Sequence, residues 1–289
     1  MELVHEPDRD AAVAKFDKLL MQHIGFAVGN TASTFVLGLT FGRLGKAPGS
    51  GLTRTYFLAL NRIAAAFAML ADLSMMLLGG ELKRRERLSA RLGDILSQLY
   101  LASAALKRYQ DLGHPQEQAP LLRWALEDCL CKAEQALADT LANFPNRILG
   151  CALQLLVFPF GARHKGPSDE LDAEVAAILG RAEGDPALEQ ILDGVYRPEN
   201  TDEPLGALRH AFDTLAETQP LARKLQQAIK RGELNPAATQ DPISAALEAG
   251  LLSQEEGTRL RKAEVARRKV IDVDDFGKEE LELKSGKVR

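Results

Sequence analysis

The sequence predicts an all-α fold: an antiparallel helical bundle followed by a C-terminal set of shorter helices. Three observations carry this. Ala and Leu are abundant while aromatics make up only 6% of 289 residues, a usage that favours helix over strand. Apolar residues recur at alternating steps of three and four over long stretches, the mark of amphipathic helices. No stretch alternates with the period of two that a half-buried strand requires. With 46% hydrophobic and 26% charged residues, the chain has enough apolar material for a sizeable core and is not a disordered polymer.

Taken in order, Ala11 to about Leu20 reads as one helix and Gly25 to Leu39 as a second, rich in small residues. Gly42 to Gly51 is a loop by its Gly, Pro and Ser content. Tyr56, Leu60, Ile63, Phe67 and Leu70 then mark one face of a helix that Gly79-Gly80 can end. Leu88, Leu92, Ile95, Leu99, Ala102, Leu106 and Tyr109 repeat the same stepping, and Gly113-His114-Pro115 closes that helix. Another runs from about Leu121 to Phe144, where Pro145 stops it. Long helices joined by short connections pack antiparallel. Shorter helices are expected near 169–179, 186–192, 205–218, 221–230, 242–249 and 254–269. Asp241-Pro242 and Ser253 with Glu256 are N-cap signals for the last two. The charged end from Asp272 is expected to be mobile.

Charge divides the chain. Residues 1–165 hold 19 Lys and Arg against 15 Asp and Glu, a net of +4. Residues 166–289 hold 17 against 25, a net of −8. Thirteen of the 16 aromatics lie in the first part, which reads as the main bundle. The second reads as a smaller acidic region punctuated by Pro167, Pro186, Pro198, Pro204, Pro220, Pro236 and Pro242. An overall charge of −4 argues against a protein that coats nucleic acid. Cys129, Cys131 and Cys151 are odd in number and fit neither a zinc knuckle nor a disulfide framework. They are expected to be buried or partly buried free thiols. The polar, acidic start is not a signal or transit peptide.

Familiar catalytic signatures do not occur. There is no phosphate-binding Gly loop and no G-x-S-x-G elbow. The histidines His5, His23, His114, His164 and His210 are scattered and read as surface or capping residues. Asp72 stands in the apolar run 67–78 and is expected to pair with a neighbouring helix. Two segments invite a binding role. At about 100° per residue, Lys83, Arg84, Arg87 and Arg91 would share one side of a helix beside its apolar stripe. This ridge is either paired internally, with Glu81, Glu86, Asp94 or the acidic second part, or it meets an anionic partner: lipid headgroups, coenzyme A phosphates or a neighbouring domain. The second segment is the apolar run 148–162, containing Leu153, Leu156, Phe158 and Phe160 between Arg147 and Arg163-His164-Lys165. It is too short to span a bilayer. It is either a core helix or a face for a membrane interface or domain contact.

The sequence resembles the C-terminal region of the bacterial FadE-type, long-chain acyl-CoA dehydrogenases. The resemblance is carried by His23-Ile-Gly-Phe26, Leu37-Gly-Leu-Thr40, Leu60-Asn-Arg62, the long block Leu78 to Tyr109, Asn143-Phe-Pro-Asn-Arg147 and Ile271 to Phe276. It spans nearly the whole chain and is loosest over 180–250. It implies a partner, an N-terminal catalytic portion that binds FAD, holds a glutamate base and oxidises fatty acyl-CoA to trans-2-enoyl-CoA in β-oxidation. It also implies electron transfer to an electron-transferring flavoprotein. No position here matches the catalytic glutamate's motif, so no catalytic residue is carried over. The expectation is a non-catalytic module that binds no FAD itself. It would pack on the catalytic body, sit in the cytoplasm and touch an anionic inner membrane. The rival expectation is a free-standing helical adaptor or membrane-docking protein.

Overall fold

The structure, a computed structural model, describes residues 9–181, 185–234 and 241–272. His5, Pro236 and the charged end from Val273 lie outside the described residues. Among those described there are ten α-helices and no strand. They are α1 (Arg9–Thr40), α2 (Gly51–Leu78), α3 (Glu86–Asp111), α4 (Ala119–Ala142), α5 (Arg147–Val157), α6 (Asp169–Leu179), α7 (Pro186–Ile191), α8 (Pro204–Lys230), α9 (Pro242–Glu248) and α10 (Gln254–Ile271). The chain forms two compact units, 1–175 and 176–289. The all-α fold expected from the stepping is what forms.

The first unit is built on the stripes read from the sequence. Tyr56, Leu60, Ile63, Ala66 and Leu70 of α2 are buried against Leu92, Ile95, Leu99, Ala102 and Leu106 of α3 and Leu122, Leu126, Leu130, Leu137 and Leu141 of α4. α3 makes its most extensive packing with α4. Bonds from Tyr56 to Glu127 and from Arg62 to Glu134 rise together along α2 and α4, so these two run the same way while α3 returns between them. By length and composition, α2 with the turn that follows it is apolar enough to cross a membrane; one face of it packs in the core of this bundle, and Met75, Met76 and Leu77 near its end are exposed. The Trp124 Nε1–H donates to Asp172 at 2.6 Å, fastening the start of α6.

α5 closes the bundle. Asn146 caps it, its side-chain oxygen accepting from the N–H groups of Ile148 and Leu149. Gly150 lets α5 approach the end of α4: a Cβ there would lie 2.7 Å from the Leu141 carbonyl oxygen and 3.1 Å from the Phe144 Cβ. Gly150→Ala is therefore expected to lower stability by about 1–3 kcal/mol, read as a shift in the urea midpoint; an unchanged midpoint would show that α5 can slide away freely.

Two boundaries differ from the sequence reading. α1 is one helix, not two: Gly25 and Gly29 stand within it with open space around them. α8 is also one helix, running through Pro220. In the second unit, Ala228, Leu234, Ala246, Leu252 and Leu260 form a small core between α8, α9 and α10. The capping signals act as read. Asp241 accepts from the Ile243 N–H, and Ser253 and Glu256 make a reciprocal capping box.

Candidate functional site

The most concentrated chemistry lies inside the first unit. Glu134 of α4 occupies a core position, 1% exposed, in the stripe of Leu126, Leu130, Leu137 and Leu141. A carboxylate there must be fully partnered. One oxygen takes a hydrogen bond from the Arg62 guanidinium of α2. The other accepts the backbone N–H groups of Arg163 and His164, each at 2.8 Å. The His164 Nε2 lies 3.9 Å from the same carboxylate. Arg62 also stands over the Phe158 ring at 5.9 Å. One buried anion thus ties α2, α4 and the segment leaving α5 into a single knot.

The knot continues outward. The Arg163 guanidinium lies 3.4 Å from the centre of the Phe41 ring, and Phe41 and Phe160 meet at 5.4 Å between ring centres. Phe41 holds φ at 53°, a backbone conformation that costs a non-glycine residue energy. Its ring contacts on both sides offset that cost. The space beside the knot, lined by Thr34, Arg62, Ile63, Ala66, Leu137, Val157 and Phe158, is too small for a water molecule. It does not fit a flavin. Among the described residues no three His, Cys, Asp or Glu side chains converge as for a metal ion.

Electrostatics follow burial. Burial and then the Arg163 charge push the Arg62 guanidinium below its usual range. The His164 imidazole is also pushed down, first by burial and then by Arg62. The Glu127 charge pushes the other way but acts more weakly than burial and Arg62. The Tyr56 phenol, which donates to Glu127 at 3.0 Å, is pushed up to about 12 by burial and by the Glu127 charge. The folded chain favours the neutral His164 ring, so stability is full above the ordinary histidine value of 6.5 and falls as the pH is lowered through it. His164→Asn should flatten that fall in urea titrations at stepped pH; an equal fall in both proteins would assign it to other groups.

The residues singled out in the sequence are distributed unevenly. Lys83 ends a short 3₁₀ turn, Arg84 follows it, and α3 starts only at Glu86. The four-residue ridge is therefore not one helix face. Arg84 pairs with Glu81 at 3.0 Å, while Arg87 and Arg91 lie one turn apart on α3. The 148–162 run splits as well. Leu153 and Phe158 are buried, 5% and 7% exposed, Leu156 is half-buried and Phe160 is 62% exposed. On the opposite side of α5, Ile148, Cys151, Ala152 and Leu155 form an exposed apolar face, Ile148 at 85% and Leu155 at 70%. Cys129 is buried and Cys131 half-buried, but Cys151 is exposed, contrary to expectation. Asp72 is half-buried, yet its Oδ2 is buried with no hydrogen-bond partner, so the expected pairing is absent for that oxygen. His164 is not an ordinary surface residue. The polar break at Glu134 within an apolar stripe was the signal that could have located the knot.

α1 contributes the largest unpacked surface. Its C-terminal half lies on α2 and α5. Towards the N-terminus Val13, Phe16, Leu20, Ile24 and Val28 are all exposed, and at 100° per residue they share one side. From Leu19 to Thr40 the helix has no Asp, Glu, Lys or Arg. Large exposed apolar surfaces of this kind mark interaction sites.

These features define the class: a helical-bundle domain whose buried charges lock its own chain and whose first helix is apolar on its outside. The chain belongs to a particular family of such domains, the acyl-CoA dehydrogenase C-terminal domain of bacterial type, whose profile matches residues 1–276 of the 289. The resemblance read from the sequence is thus the family. A C-terminal domain of this kind implies an N-terminal catalytic partner domain in the family, and FAD in the full enzyme. No solved structure matches the chain.

Proposed function

We propose that this chain is the docking domain of an FAD-dependent acyl-CoA dehydrogenase of fatty-acid β-oxidation. The catalytic body converts acyl-CoA to trans-2-enoyl-CoA and passes electrons to an electron-transferring flavoprotein. This chain supports that body and carries no reaction centre of its own. The observation behind the reading is the exposed apolar side of α1, with no Asp, Glu, Lys or Arg from Leu19 onward, in a chain of this family. Mixing the chain with the acyl-CoA dehydrogenase catalytic portion of the same organism tests it. An equimolar complex on gel filtration is expected. The chain alone should show neither flavin absorbance nor acyl-CoA-dependent dye reduction. Failure to associate would favour a free-standing adaptor, and turnover by the chain alone would overturn the docking role.

A second surface favours contact with the cytoplasmic side of the inner membrane. Ile148, Leu155 and Phe160 are exposed apolar residues, and exposed Arg147, Arg163 and Lys165 flank them. Apolar side chains between cationic flanks suit an anionic lipid interface. Flotation with anionic vesicles should carry the chain upward and weaken with salt. Ile148→Asp with Leu155→Asp should abolish flotation and keep the fold. Leu156→Asp with Phe158→Asp should unfold the bundle, since Phe158 is core. Flotation that survives the first pair would remove α5 from the membrane reading.

A further inference from the structure

The second unit contains a cleft of about 650 Å³ between the turn at Thr201, the start of α8 and one side of α10. Thr258, Arg261, Lys262, Val265, Ala266 and Lys269 form its α10 wall, spaced by three, four, seven, eight and eleven residues along a single face. His210 and Ala207 of α8 stand opposite. The ionisable side chains lining this cleft are three cations and a histidine, with no carboxylate among them. Yet it sits in the part of the chain that has a net charge of −8.

The hydrogen bonds explain how α10 keeps positive charge on this face. Glu264 points away from the cleft and grips Arg267 and Arg268 at 2.7–3.0 Å. Glu256 is used by the capping box and lies 4.0 Å from Lys224. Glu264 and Glu256 are thus engaged elsewhere, while Glu255 stands at the first turn of α10, outside the lining of the cleft. Within the cleft, Arg261 is held by Asp241 at 3.1 Å and Ser244 at 2.7 Å, which fixes one end. At the other end the Lys269 ammonium donates to the Thr201 carbonyl at 2.9 Å, a neutral acceptor, and has no ion pair among the described residues. Lys262 has no ion pair among the described residues. Between them the floor is apolar, with Val265 69% exposed beside Ala207 and Ala266.

We propose that this cleft binds a phosphate ester of nucleotide size, with Lys262 and Lys269 taking the phosphate, Arg261 braced by Asp241 at the edge, and Val265, Ala207 and Ala266 receiving the apolar body. The volume falls within the usual range for small-molecule sites, about 300–1,000 Å³. Cations arranged around an apolar patch favour a ligand that joins an anionic group to a flat or aliphatic portion. Two sources offer that chemistry: a soluble nucleotide phosphate and the headgroup of an anionic phospholipid. The site does not depend on the docking reading of α1, since it stands on different residues in the other unit.

The test titrates the full 289-residue chain with adenosine 3′,5′-bisphosphate by calorimetry, and in parallel floats it with vesicles rich in phosphatidylglycerol. Lys262→Glu is the informative variant, because Lys262 makes no hydrogen bond or ion pair among the described residues. Arg259→Glu, on α10 but outside the cleft, is the charge-matched control. Saturable nucleotide binding is expected, weakened about tenfold by Lys262→Glu and little by Arg259→Glu. Vesicle binding without nucleotide binding, again lost in Lys262→Glu, would support the site and assign the phosphate to a headgroup. Absence of both, or equal weakening by the two variants, overturns the proposal. If the α5 variants Ile148→Asp and Leu155→Asp abolish vesicle binding while nucleotide binding persists, the membrane face and this cleft are separate.

Discussion

Replacing Glu134 by alanine is expected to lower stability by about 3–5 kcal/mol, the usual cost of removing one partner from a buried ion pair. The magnitude follows from what is left behind. Arg62 is 7% exposed and would keep a full charge with no anion beside it. The N–H groups of Arg163 and His164 would lose the acceptor they share at 2.8 Å. An unpaired buried donor forfeits its hydration with nothing in return. Arg62→Met alone should be nearly as damaging, because it strands the carboxylate. The double variant Arg62→Met with Glu134→Leu should recover only the part due to the stranded guanidinium, because the Arg163 and His164 N–H groups still lack their acceptor. A thermodynamic cycle over the three proteins in urea gives the coupling directly. A loss below about 1 kcal/mol for Glu134→Ala would mean that water reaches the knot. The pair would then be a surface contact.

The same residues show which parts of the fold could be read in the sequence. The stripes of α2, α3 and α4 were legible because a 3.6-residue period shows directly in residue order. Ser253 with Glu256 was legible because the two partners of a capping box are only three positions apart. Glu134 could be seen as a polar break in a stripe, but its partners could not. Arg62 is 72 residues away and the N–H groups of Arg163 and His164 are 29 and 30 away. Backbone donors leave no mark on residue type at all.

The misreadings have physical causes of the same kind. Gly25 and Pro220 each carry a real helix penalty, about 1 and 3 kcal/mol. α8 nevertheless runs through Pro220, because Ala211, Thr218 and Ala228 on either side of it are buried, and tertiary burial outweighs local propensity. The basic ridge failed as a helix face for the opposite reason. Its geometry assumes a helical period through residues 83–86, where the 3₁₀ turn Gly79–Lys83 ends and α3 starts afresh at Glu86. A helical wheel is valid only within one continuous helix. The α5 run was ambiguous in sequence because both of its sides are apolar; only packing distinguishes Leu153 from Leu155.

The α1 face gives the second large expected effect. Phe16→Asp, Leu20→Asp and Ile24→Asp together should weaken association with the catalytic body by more than about a hundredfold. The three side chains are 53%, 44% and 48% exposed in the domain itself, so they carry little of its internal stability. Covered by a partner, each would contribute up to about 1.5–3 kcal/mol of apolar burial, and a carboxylate in its place would have to be desolvated. Only a few such anchors usually dominate an interface, so the triple variant reaches the threshold of a hundredfold, about 2.7 kcal/mol, even if one of the three lies at the rim. Lys18→Glu, on the far side of α1, changes a charge outside the apolar stripe and should have a small effect. Unchanged circular dichroism and urea midpoint in the triple variant would separate lost docking from lost folding. Sedimentation of the unmixed chain supplies the remaining contrast. If the wild type self-associates and the triple variant is monomeric, while both bind the catalytic portion equally, the α1 face joins copies of this domain and the catalytic body is held elsewhere.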